Sequence, residues 1–269
     1  MMSKDLQKRV IFGGVALAIF IPFLLKGGVP FQLFIGLLAM IATAELIKMH
    51  GLLPNSIEGM LAMLGSLVLT LPLENYLTFL PTDGNYTAYA IVVFCLLGST
   101  VFNLQHYSYS EVAFPIASSF YVGIGFHHLI LARMDGLDKV LFALFIVWAT
   151  DIGAYMIGSR IGRRKLMPKV SPNKTLEGSL GGIVSALVVS AIFILVDKGV
   201  ASGYSLVTML LLVVLFSIFA QFGDLVESAI KRCFGVKDSG KVIPGHGGIL
   251  DRFDSLIFVF PIMHFFGLF

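Results

Sequence analysis

The chain has 269 residues, 57% hydrophobic and 13% charged, with a net charge of +3 and a mean hydropathy of +0.90. A soluble chain carries roughly 25% charged residues, so this one lacks the polar surface to cover a water-exposed fold. Two cysteines exclude a disulfide-built secreted domain, and the abundance of aliphatic and aromatic residues excludes disorder. What is left is an all-α, polytopic integral membrane protein.

A helix needs about 20 apolar residues to cross roughly 30 Å of hydrocarbon. Nine stretches approach that length, at 10–26, 29–48, 57–74, 86–105, 111–132, 138–158, 178–198, 204–223 and 249–269, and predict about nine transmembrane helices. The first has Lys4, Lys8 and Arg9 ahead of its apolar core, as a signal peptide does. No small-x-small cleavage pattern precedes Lys26-Gly27-Gly28, so it reads as a retained span. Glu45, near the end of the second span, is expected to reach the interface. The third is interrupted by Pro72 and Glu74, and the apolar piece at Tyr76–Leu80 reads as re-entrant or interfacial. His127, His128 and His264 read as hydrogen-bonded polar residues near an interface, and Gly182 with Ala186 as a small-residue packing face.

Nine spans put the termini on opposite sides. The side of the N-terminus would carry 14 of the 19 Lys and Arg residues and the other side four, with Arg252 inside the last span. The positive-inside rule therefore places the N-terminus in the cytoplasm. The positive charge is topological: no stretch interleaves basic and aromatic residues on a soluble surface, and no nucleic-acid partner is expected. Residues 1–136 have short, weakly charged connections and are expected to form a transmembrane scaffold half. Residues 137–269 hold two polar cytoplasmic loops, 159–177 and 224–248, and are expected to form the catalytic half.

An ionisable residue inside a span is costly and marks function by default. Asp151 follows Trp148 in the sixth span; Asp224 and Glu227 close the eighth; Asp251, Arg252 and Asp254 open the ninth. On a helix Asp251 and Asp254 are i and i+3 and share a face, as do Asp224 and Glu227, with Ser228 and Lys231 continuing that stripe. Gathered carboxylates repel one another unless a cation lies among them, and hard oxygen ligands favour Mg²⁺, held by one or two carboxylates plus substrate phosphates. Cations lie close in sequence. The first loop ends in a Ser171-Pro172-Asn173-Lys174-Thr175 turn before a helix, and the second carries Lys231, Arg232, Lys237, Asp238 and Lys241 before Gly245-His246-Gly247-Gly248. Glycines allow close backbone approach to an anion, and helix N-termini offer free N–H groups. Acidic metal ligands beside basic anion-binding loops suit metal-assisted phosphoryl or nucleotidyl transfer. An ion-coupled membrane transporter is the alternative that buried acids also allow, although these acids cluster at one membrane edge and no inverted repeat is visible.

The run Ser228-x-x-Lys231-Arg232-x₄-Lys237-Asp238-x-Gly240-x₂-Ile243-x-Gly245-His246-Gly247-Gly248-Ile249-x-Asp251-Arg252-Phe253-Asp254 resembles the signature of CDP-diacylglycerol synthases, the phosphatidate cytidylyltransferases. Asp151-Ile-Gly-Ala-Tyr155 followed by Ser171-Pro-Asn-Lys-Thr-Leu-Glu-Gly178 resembles a second stretch of that family. The resemblance implies a multi-pass enzyme of a bacterial-type cytoplasmic (inner) membrane, its active site facing the cytoplasm. It would make CDP-diacylglycerol and pyrophosphate from CTP and phosphatidate with Mg²⁺ or Mn²⁺, a second cation fitting the same site. For that reaction Asp224, Asp251 and Asp254 are the expected metal ligands, with Asp151 and Asp238 as further candidates, and Lys237 and Arg252 join them as catalytic residues. Ser171, Asn173, Lys174, Thr175, Glu177, Ser228, Lys231, Arg232, Lys241, His246 and Gly247 are the expected substrate-binding residues. A homodimer is compatible with an N-terminal half that is expected to carry no chemistry of its own.

Overall fold

The computed structural model describes residues 4–77, 84–102, 107–201, 203–245 and 247–269. Among them run nine α-helices: α1 (Lys4–Lys26), α2 (Gly28–Met49), α3 (Ile57–Thr70), α4 (Gly84–Phe102), α5 (Tyr109–Asp135), α6 (Leu137–Ile161), α7 (Leu176–Val196), α8 (Leu206–Cys233) and α9 (Leu250–Phe265). Six of these, α2 and α4 to α8, are long and apolar enough to cross a membrane. The described apolar part of α1, Phe12–Lys26, and the whole of α3 are shorter, and α9 has 16 residues. α3 stops where the sequence hinted: Leu71 is extended ahead of Pro72, as the residue before proline prefers. Large apolar side chains such as Phe94, Ile152, Leu195 and Val207 point outward, as the surface of a multi-pass membrane protein must. Residues 78–80 of the expected re-entrant piece lie outside the described residues.

Helix is not the whole of it. Residues Lys165–Met167 (β1) and Ser171–Thr175 (β2) pair antiparallel, Lys165 opposite Thr175 and Met167 opposite Ser171. The segment expected as a turn is thus a strand, one side of a short hairpin within an otherwise all-α architecture.

The chain forms two compact units. One holds residues 1–130 and 236–252, the other 131–235 and 253–269, so α5 and α9 each contribute to both. Residues 236–248 of the second polar loop therefore group with the N-terminal helices. In the first unit, Ser56 caps α3 by accepting from the Gly59 amide at 3.1 Å, worth about 1 kcal/mol. His127 Nδ1 lies 3.2 Å from the Thr70 carbonyl, and Tyr89 reaches the Ile116 carbonyl at 3.0 Å, so polar groups between α3, α4 and α5 find partners.

In the second unit α6 and α7 pack backbone to backbone. A Cβ on Gly182 would lie 2.7 Å from the Thr150 carbonyl oxygen, and one on Gly178 2.7 Å from that of Ala154. Only glycine permits this approach, the close packing that small residues allow between membrane helices. A buried Thr150–Ser217 hydroxyl contact at 2.8 Å ties α6 to α8. Thr175 then starts α7, its side chain accepting from the Gly178 amide at 3.1 Å.

Candidate active site

In the second unit the hairpin delivers Lys174 to α8. Because Thr175 is fixed as the cap of α7, its neighbour Lys174 is held at the helix start, and its ammonium stands 2.5 Å from Asp224 Oδ2. Ser228, one turn further along α8, donates to Asp224 Oδ1 at 3.2 Å. Glu227 is fully buried and pairs with Lys231. α8 continues to Cys233, so Asp224, Glu227, Ser228, Lys231 and Arg232 stand on helix, not in the loop expected to begin at 224. Gly223 lets α9 come in: a Cβ there would lie 2.6 Å from the Asp254 carbonyl oxygen. Asp254 consequently feels the charges of Asp224, Asp151 and Lys231, and Asp151 those of Asp224 and Lys174.

Four carboxylates, Asp151, Asp224, Glu227 and Asp254, thus face two lysines, Lys174 and Lys231. An excess of hard anionic oxygens at low dielectric is the donor chemistry that fits a divalent hard cation. Among the described residues no group of three or more His, Cys, Asp or Glu is already arranged around one point.

The first unit contains residues 236–248 of the second loop. A cavity of about 610 Å³ is walled by Lys237, Asp238, Lys241 and Arg252, with Gly245 and Gly247 beside them. Those glycines have φ of 80° and 85°, a region closed to most side chains, and let the chain turn back so that the Ile243 amide donates to the Gly247 carbonyl at 3.0 Å. Asp251 Oδ2 accepts from the Ser239 amide, the Ser239 hydroxyl and the Gly248 amide, each at 2.8 Å. Glu45 of α2 binds the same loop. The sequence suggested an interfacial side chain; it is only 6% exposed and accepts from Ile249 and Leu250 amides at 3.0 Å.

The remaining sequence candidates divide by what their side chains already do. Glu177 accepts from the Arg163 and Arg164 amides at 3.0 and 3.1 Å and so fixes the entry to the hairpin. Thr175 is buried as a helix cap, whereas Asn173 is exposed and Ser171 half-buried on β2. Arg232 Nε donates to the Val170 carbonyl at 3.3 Å, tying α8 to the hairpin turn. His246 lies outside the described residues. Sequence reasoning did not single out Gly223, although a glycine directly before an intramembrane aspartate was a signal for close helix approach.

A multi-pass helical membrane protein that sets carboxylates against lysines, and carries a cationic cavity lined by positive-φ glycines, is of the class that handles phosphate-bearing molecules. The chain matches the Cytidylyltransferase family over residues 7–269 and belongs to that family. It is 44% identical over 260 residues to the phosphatidate cytidylyltransferase of Staphylococcus saprophyticus, covering 96% of this chain and 98% of that relative. The proteins of the same name from Staphylococcus haemolyticus and Staphylococcus epidermidis are 41% and 42% identical, with the same coverage of 96% and 98%.

Proposed function

We propose that the protein is a CTP:phosphatidate cytidylyltransferase, making CDP-diacylglycerol and pyrophosphate. The observation that carries this reading is the near-full-length similarity to relatives of that name; the geometry supplies the means. A phosphatidate phosphate oxygen attacks the α-phosphorus of CTP in line. A P–O bond forms there, the bond to the bridging oxygen of the β-phosphate breaks, and pyrophosphate leaves. A phosphate monoester is already mostly dianionic near neutral pH, so no strong general base is required; what is required is to bring two anions together.

The cationic cavity, within the size range of small-molecule sites, suits the triphosphate of CTP, with Lys237, Lys241 and Arg252 against its oxygens and His246 donating to a phosphate oxygen or to the leaving pyrophosphate. Ser171, Asn173 and Lys174 grip a phosphate of the lipid or of the nucleotide from the hairpin. Asp224 and Asp254, electrostatic neighbours, and Asp251, three residues before Asp254 on α9, are the metal ligands in this reading, with Asp151 and Asp238 as outer members. When bound there, Mg²⁺ or Mn²⁺ would neutralise phosphate charge, and the acid excess leaves room for a second cation.

Nine spans, a cytoplasmic N-terminus and a cytoplasm-facing site in a bacterial-type inner membrane complete the proposal, supported by the 14-to-four division of basic residues. A homodimer fits the same picture, and light scattering in detergent reads it. The activity is tested by incubating the purified protein with CTP and phosphatidate in micelles and looking for CDP-diacylglycerol by mass spectrometry. Absence of that product from well-folded protein would sink the assignment.

A further inference from the structure

Glu45 lies one turn before the end of α2, and its carboxylate is bonded to groups 194 to 205 residues away in sequence. Oε1 accepts from the Ile249 amide at 3.0 Å, and Oε2 accepts from the Leu250 amide at 3.0 Å and from the Ser239 hydroxyl at 3.1 Å. A carboxylate inside an apolar helix is costly unless donors surround it, and the donors here are the opening amides of α9 and one loop hydroxyl. Those amides have no intrahelical acceptor. Asp251 serves the Gly248 and Ser239 amides; Ile249 and Leu250 use Glu45. The Ser239 hydroxyl lies within bonding distance of both carboxylates, 3.1 Å from Glu45 and 2.8 Å from Asp251.

The loop closes tightly around this acid. A Cβ on Gly240 or on Gly248 would collide with the Glu45 carboxylate, so glycine at both places lets the loop wrap it. Gly240 stands between Ser239 and Lys241, and the wall of the cationic cavity runs directly through this segment. Charge-assisted bonds to backbone N–H groups are short, directional and stronger than neutral ones, so Glu45 fixes where the chain from Ser239 to Leu250 can go.

We infer that Glu45 is a positioning residue for the nucleotide: from α2 it holds the Ser239–Leu250 segment in the shape that spaces Lys237, Lys241 and Arg252 for a polyphosphate. The inference rests on the assignment of that cavity to the CTP triphosphate. Its signature is a selective loss of nucleotide affinity together with loosening of a defined set of amides.

The test uses the full-length protein in detergent micelles, measuring initial rates against CTP and against phosphatidate, and hydrogen exchange of the amides from 239 to 250. Glu45→Gln puts an N–H₂ where an acceptor is needed. It is expected to raise the KM for CTP at least tenfold, to leave the KM for phosphatidate within twofold, and to speed exchange at Ile249 and Leu250 at least tenfold. Glu45→Asp should recover part of both losses. Gly240→Ala pushes on the same carboxylate from the loop side with α2 untouched and should act in the same direction, which decides the matter if Glu45→Gln fails to fold. Thr43→Val, a change two residues before Glu45 and so on the opposite face of α2, should alter neither readout. The reference is Lys241→Ala. If Lys241→Ala leaves the KM for CTP unchanged, the cavity assignment fails and the inference with it. If Lys241→Ala raises that KM while Glu45→Gln and Gly240→Ala leave KM and exchange as in the parent protein, the positioning role alone is overturned.

Discussion

The ammonium of Lys174 stands 2.5 Å from the carboxylate of Asp224, joining the end of a short hairpin to the interior of α8. Fifty residues separate the two in sequence, and the contact exists because β2 runs straight into the cap of α7. Removing the lysine would leave an acid beside Asp151 and Asp254 with less positive charge to balance it. Lys174→Ala should lower kcat/KM by about 10²-fold, the usual loss when one electrostatic donor is taken from a transition state, while thermal unfolding in detergent shifts little. Unchanged kinetics would return the hairpin to a purely topological role.

Asp254→Asn keeps the shape of the side chain and removes its charge. In the proposed metal role it should raise the Mg²⁺ concentration needed for half-maximal turnover by about tenfold or more, as loss of a group that supports a metal site commonly does. Binding of Mn²⁺, followed by electron paramagnetic resonance without substrate, should weaken in parallel. A variant that turns over normally at low Mg²⁺ and binds Mn²⁺ like the parent contradicts the role.

Gly247→Ala introduces a side chain at φ 85°, directly against the Asp251 carboxylate. Backbone strain there costs about 1–2 kcal/mol, and the loop must shift to relieve it. The expected result is a raised KM for CTP with a smaller change for phosphatidate, read by steady-state kinetics.

Gly182→Val tests the helix pair that carries the hairpin. The new side chain would meet the Thr150 carbonyl, and overpacking of this kind costs about 1–3 kcal/mol. A lowered unfolding temperature in detergent is expected. A variant as stable as the parent would mean that α6 and α7 can separate without penalty.

The apolar runs were readable because each helix that crosses a membrane must announce itself in about 20 residues. The hairpin was not: Pro172 and Asn173 are poor strand formers, and β2 is held by Glu177 on the Arg163 and Arg164 amides and by Arg232 on the Val170 carbonyl. The end of α8 was misplaced for a related reason. Charged residues interrupt the hydrophobic pattern at Asp224, but the Glu227–Lys231 pair and the Ser228–Asp224 bond carry the helix on to Cys233. The acids themselves stood out in the sequence because isolated carboxylates in apolar helices demand a reason. Glu45 looked interfacial since its partners, Ser239, Ile249 and Leu250, are 194 to 205 residues away and leave no local trace. That contact also gives the N-terminal helices a share in holding the loop.

Metal-assisted cytidylyl transfer is read most directly as pyrophosphate release from the purified protein in detergent micelles, with CTP, phosphatidate and Mg²⁺ each omitted in turn. Release that requires all three, with a CDP-lipid appearing in equal amount, is the expected result. Release from CTP alone, release that persists after chelation of divalent ions, or silence from well-folded protein would contradict metal-assisted cytidylyl transfer to the lipid.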